Sequence, residues 1–130
     1  MNKAEIKSYL FRNLAEILKE SGIFLRIAEP KASSLDIILE LEYEDKSIKL
    51  LGEICSSLHF SHFYQKIEQL KKLSHQKPRY YPILIAPNLS SEKQSICKKS
   101  GIFYLDLAGN IFIKAKNFLI DRQGEIKGFG

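Results

Sequence analysis

Residues 35–43, LDIILELEY, and residues 50–57, LLGEICSS, decide the fold. In the first, Leu35, Ile37, Leu39 and Leu41 alternate with Asp36, Ile38, Glu40 and Glu42, the two-residue period of a strand that is buried on one face and acidic on the other. Residues 44–47, EDKS, read as the turn that follows. The next strand, IKLLGEICSS from Ile48, puts Leu51, Glu53 and Cys55 on one face and Leu50, Gly52 and Ile54 on the other. Asp36 and Glu53 thus stand on consecutive strands.

Working outward, Ile6, Leu10, Leu14, Ile17 and Leu18 recur every three or four residues and predict a helix from about residue 3 to 20, stopped by Ser21 and Gly22. Residues 23–29, IFLRIAE, read as a strand, with Pro30 and residues 31–34, KASS, as its turn. Phe60, Phe63, Ile67, Leu70 and Leu73 predict an amphipathic helix over about 58–74, opposite Gln65, Glu68, Gln69 and Lys72. Residues 80–87, YYPILIAP, suit a strand covered on both faces. Ser91 with Gln94 signals a capping box for a helix over 91–100, closed by Gly101. Residues 102–109 and 110–116 read as two further strands, and the strand-helix-strand order predicts a parallel pair with a right-handed crossover.

The chain of 130 residues is expected to be one domain, with 45% hydrophobic and 27% charged residues, as in an ordinary globular protein. A net charge of +5 favours a polyanionic partner. Two cysteines make no disulfide framework, and the charged amphipathic N-terminus lacks the apolar core of a signal peptide, so a cytoplasmic location is expected. No apolar run reaches the roughly 18 residues of a membrane span.

The order α β β β α β α β β, with a central mixed sheet flanked by helices, resembles the core of the PD-(D/E)XK superfamily, the restriction-endonuclease-like fold. The likeness covers roughly residues 3 to 113. In that superfamily an acid on the second core strand and an E-x-K on the third bind magnesium, so the resemblance implies Asp36 and Glu53 as metal ligands and Mg²⁺ as the cofactor of an active enzyme. Such carboxylates suit a hard cation that activates water and offsets charge on a phosphorane. Glu16 is the nearest candidate for the glutamate that some members add from the first helix.

One position departs from the pattern: Cys55 stands where the lysine belongs. Either the lysine has moved to Lys66 or Lys71 on the following helix, or another polar group suffices, or the domain has lost catalysis and kept binding. A solvated strand acid and a buried acid paired to a lysine are the plain structural alternative for Asp36 and Glu53. Residues 82–113 are also similar to a segment of uncharacterised bacterial regulators of this fold with a Y-x-D-x-(A/S)-G-N signature, matched by Tyr104, Asp106, Gly109 and Asn110. Turn chemistry explains Asp106 and Asn110 equally, unless Asp106 lines the same cleft. Those regulators often continue into a winged helix, for which no room remains before Gly130; a stand-alone module or the N-terminal part of a longer protein is expected.

Cys55, His59 and His62 form a C-x₃-H-x₂-H cluster, a weak zinc signal without a fourth ligand, and histidines at a helix start serve more often as surface or phosphate-facing groups. Cys97 and His75 read as packing and surface residues, and no cysteine-histidine pair marks a protease. Lys66, Lys71, Lys72, Lys77 and Arg79 propose a nucleic-acid face, with Tyr80 and Tyr81 beside them and Lys98, Lys99, Lys114 and Lys116 from later elements. Taken alone, the helix lysines are equally a solvated face. Three functions follow: a nucleic-acid-binding module or regulator domain, with DNA the expected polymer and a degenerate site; an active Mg²⁺-dependent endonuclease using Asp36, Glu53 and a displaced Lys66; or a protein-interaction module in which the later strands make a homodimer.

Overall fold

A computed structural model describes residues 2–28, 30, 36–56, 60–115 and 118–124, apart from the side chains of Phe11 and Phe60. The turn expected at 31–34, His59 and Lys116 lie outside the described residues.

The N-terminal helix runs from Lys3 to Glu20 as α1 (Lys3–Tyr9), a π-helical turn (Leu10–Leu14) and α2 (Ala15–Glu20). Asn2 caps it, accepting from the Glu5 N–H while Glu5 accepts from the Asn2 N–H. Ile6, Leu10, Leu14 and Leu18 are all buried, at a strict spacing of four. In an α-helix a four-residue step overshoots one turn by about 40°, and the wider π-turn reduces that drift, so all four side chains stay on the sheet. Gly22, at φ +79°, ends the helix as expected.

Seven strands follow: β1 (Ile23–Ala28), β2 (Ile37–Tyr43), β3 (Lys46–Ile54), β4 (Tyr81–Ala86), β5 (Phe103–Asp106), β6 (Ile111–Ala115) and β7 (Phe118–Arg122), with α3 (Phe60–Gln76) between β3 and β4 and α4 (Ser91–Lys99) between β4 and β5. They form one mixed sheet in chain order, antiparallel through β1, β2 and β3, parallel through β3, β4 and β5, and antiparallel through β5, β6 and β7. The α/β class and the mixed sheet expected from sequence are therefore present. The sheet curls, and the Tyr43 and Phe118 rings near its two edges meet edge-to-face at 6.5 Å.

Two corrections arise. β7 is an additional strand: Phe118 turns inward and Leu119 is 67% exposed, but five residues ending in Asp121 and Arg122 carry too little apolar alternation to stand out. The cap of α4 is Ser90 rather than Ser91, its hydroxyl accepting from the Lys93 N–H. Gln94, expected to close that cap, instead donates to the Leu89 carbonyl at 2.8 Å and accepts from the Tyr104 hydroxyl.

The core has two halves. On one face of the sheet Ile37, Leu39, Leu41, Leu50, Ile54, Ile83 and Ile85 pack against the N-terminal helix. On the other, Cys55, Leu84, Ala86 and Tyr104 pack against Phe63, Ile67 and Leu70 of α3 and Cys97 of α4. β4 is covered on both faces, as its unbroken apolar run requires. Gly52 lets β2 and β3 close up: a Cβ there would meet Ile37 Cγ2 at 2.5 Å, with Asp36 and Glu53 flanking that contact.

Candidate active site

Ile37 pairs with Gly52, so the antiparallel register, carried one residue further, sets Asp36 opposite Glu53 on the face that α3 covers. The Asp36 N–H donates to the Gly52 carbonyl at 3.2 Å and holds the chain in that register just before β2 begins. Directly opposed side chains on one face are near neighbours, and these two carboxyl groups interact with each other. The convergence expected from the strand periods is present.

Each carboxylate has a cation. Asp36 Oδ1 accepts from Lys3 Nζ at 2.9 Å and Oδ2 from the Ile54 N–H at 2.8 Å. Glu53 Oε2 accepts from Lys66 Nζ at 3.0 Å; the Glu53 side chain is 4% exposed and that of Lys66 24%. Lys66 precedes Ile67 at the edge of the buried stripe of α3, which aims its stem along the helix-sheet seam. Cys55 is itself buried in that seam among apolar side chains. A lysine there would lose its solvation.

Burial pushes Asp36 upward, but the Ile54 N–H, the Lys3 ammonium and Glu53 outweigh it and hold its carboxyl below the usual 3.8. Glu53 goes the other way. Burial, joined by the neighbouring Asp36, raises its carboxyl above the usual 4.5 even against Lys66.

The linkage signs are opposite. Asp36 contributes stability above 3.8 that is lost as pH falls through its lowered folded value, whereas the contribution of Glu53 is present below 4.5 and is lost as pH rises through its raised value. Glu53→Gln removes the second, so its stability relative to wild type should rise as pH increases above about 4.5, read from urea midpoints. A pH-independent difference would contradict the raised value.

The remaining candidates scatter. Lys72 shares with Glu53 and Lys66 a cleft of about 270 Å³, whereas Lys71 pairs with Glu68 at 3.3 Å on the helix flank. Lys77 and Arg79 are exposed in the connection to β4, past Gln76, the last residue of α3, which is about 15 Å along the helix axis from Lys66 at 1.5 Å per residue. Lys98 pairs with Asp121 and lies over the Phe112 ring. Glu16 is exposed, thirteen residues or about 20 Å along the helix from Lys3, and does not join the pair. Lys3 does join it, which sequence reasoning missed; only its place at the first turn, next to the cap, marked it.

Among the described residues no three His, Cys, Asp or Glu side chains converge as metal ligands, so the zinc cluster gains no support there. Burial pushes the Cys97 thiol up to about 12, with Cys55 nearby adding to the shift, which disfavours the thiolate that a nucleophile needs. Asp106 is fully buried and accepts from the Leu89 N–H, the Asn110 N–H and Asn110 Nδ2, while Asn110 Oδ1 accepts from the Gly124 N–H. It serves turn chemistry and does not line the clefts at Glu53 and Lys66. Among the described residues no helix is long and apolar enough to cross a membrane.

No protein-family model and no curated protein matches the chain. Among solved structures it is similar to a repair endonuclease from Pyrococcus abyssi, with a TM-score of 0.53 and 16% identity over 82% of this chain and 46% of that one. It is also similar to EndoMS in its apo form, with a TM-score of 0.47 and 16% identity over 82% and 46% of the two chains. The chain thus spans about half the length of both. The first likeness assigns the fold, a restriction-endonuclease-like α/β core.

Proposed function

We propose that this chain is a metal-dependent nucleic-acid phosphodiesterase domain, with DNA its expected polymer, in which Lys66 supplies from α3 the cation that Cys55 cannot supply from β3. The observation that carries this reading is the 3.0 Å contact of Lys66 Nζ with Glu53 Oε2, beside Asp36. The fold shared with a repair endonuclease supports it at the level of architecture.

The donor set fits a hard divalent cation. Asp36 and Glu53 converge as carboxylate oxygens, the donor type that such a cation prefers. Bound there, such an ion would activate water and offset charge on the phosphorane. The chain's own groups do the rest. Lys66 keeps two N–H donors beyond the one it gives Glu53, enough to orient a water or a phosphate oxygen at the pair. Lys72, on the same cleft wall, draws the strand in without reading its sequence.

A second reading, a binding module with a degenerate site, is favoured by one fact: Lys3 and Lys66 already satisfy both carboxylates without a metal. Lys66→Met separates the two. With Mn²⁺ and labelled single- and double-stranded DNA, the wild type should cut and the variant should be slower by about 10²-fold or more, with part of the rate restored in Lys66→Arg. Wild-type retention of DNA that falls steeply with salt, without cutting, would favour the binding module instead.

A further inference from the structure

A second cavity, of about 210 Å³, opens on the other side of Lys66, between the start of α1 and the first turns of α3. Lys3, Ser56, His62, Gln65, Lys66 and Gln69 supply its polar lining, with Ile54 and Cys55 as its floor. Its composition is one-sided. Among the described residues, two ammonium groups, an imidazole, a hydroxyl and two carboxamides line it and no carboxylate does; Asp36 and Glu53 stand behind the lysines that hold them.

Each lysine is fixed rather than spent. An ammonium has three N–H donors. Asp36 Oδ1 holds Lys3 Nζ at 2.9 Å and Glu53 Oε2 holds Lys66 Nζ at 3.0 Å, so the carboxylates act as anchors for cations whose remaining donors are available to a guest. A compact, acceptor-only, multiply charged group suits such a lining, and a tetrahedral phosphate is the form of it that a nucleic-acid strand carries.

We infer that this cavity is a phosphate subsite, which grips a strand phosphate next to the one addressed by Asp36 and Glu53, with Lys3 bringing the N-terminal helix into substrate binding. The inference rests on the proposed function. The subsite is continuous with the cleft at Glu53, because Lys66 and Gln69 line both. The phosphate is either a terminal phosphomonoester or an internal diester, which share this chemistry.

Metal-free binding tests it, so that no ion can bridge strand and carboxylates. Anisotropy of a short labelled oligonucleotide is measured with a 5′-phosphate and with a 5′-hydroxyl, and inorganic phosphate serves as competitor. Gln65 is exposed, so Gln65→Glu adds a carboxylate to the cavity without touching Asp36 or Glu53. It should weaken strand binding by about tenfold or more and reduce competition by phosphate. Lys3→Gln should do the same, and Lys3→Arg should restore most of the loss, which a merely structural lysine would not require. Lys19→Gln, exposed at the far end of the N-terminal helix, should change binding by less than about twofold. Loss of a preference for the 5′-phosphoryl strand in Gln65→Glu assigns the monoester, and equal weakening of both strands assigns the diester. Wild-type affinity in Gln65→Glu, or the same loss in Lys19→Gln, overturns the subsite; if such a protein still cuts DNA in Mn²⁺, the proposed hydrolysis stands alone. A subsite that passes in a protein that never cuts leaves the phosphate pocket standing and removes the hydrolysis.

Discussion

Glu53→Gln should reduce Mn²⁺-supported cleavage of DNA by about 10³-fold or more, measured as single-turnover rates on a labelled strand. The substitution keeps the shape of the side chain and an oxygen that can accept from Lys66, so the seam between β3 and α3 stays packed. What it removes is the negative charge that converges with Asp36. A cation bound by two carboxylates loses half of its anionic donors, and Lys66 loses the counter-charge that fixes its ammonium. Asp36→Asn is the less clean test, because its carboxylate also orders the end of β3 through the Ile54 N–H and tethers α1 through Lys3. If Glu53→Gln cuts at the wild-type rate, the pair is structural.

The largest loss of stability should come from Asp106→Ala, about 3–4 kcal/mol by urea denaturation. The buried carboxylate of Asp106 receives three hydrogen bonds at 2.8–2.9 Å, two of them from backbone N–H groups. Alanine would leave the Leu89 and Asn110 N–H groups and the Asn110 amide without that acceptor, in a place where water cannot replace it. The damage would spread through Asn110 Oδ1 to Gly124, whose backbone lies so close to Ala108 that a Cβ at Gly124 has no room. DNA binding, measured on protein still folded at low temperature, should be unchanged. A loss below about 1 kcal/mol together with lost DNA binding would return Asp106 to the site.

What was legible in the sequence was what a period reveals. Alternation along residues 35–43 and 50–55 sets Asp36 on the acidic face of its strand and Glu53 with Leu51 and Cys55 on one face of the next, and the hairpin between them brings those faces together. The run from Ile83 to Ala86 reads as a buried strand because both neighbouring layers need apolar contacts there. Lys66 was legible only as one of two lysines, since choosing between Lys66 and Lys71 depends on how α3 is rotated against the sheet. Lys3 was not legible, because its contact spans 33 residues and depends on where the N-terminal helix lies across β2 and β3. The π-turn was present in the four-residue spacing of Ile6, Leu10, Leu14 and Leu18, a pattern that an α-helix would slowly rotate away from the core. Ser90 and Ser91 compete for one cap, and the chain resolves it by sending Gln94 inward to Leu89 and Tyr104.

The most direct measurement is the anomalous diffraction of a crystal of this chain soaked in Mn²⁺. One manganese peak held jointly by the carboxylates of Asp36 and Glu53, with Lys66 still beside Glu53, is the predicted result. Manganese bound only elsewhere, with Lys3 and Lys66 undisturbed on their carboxylates, would contradict a metal-dependent centre at this pair.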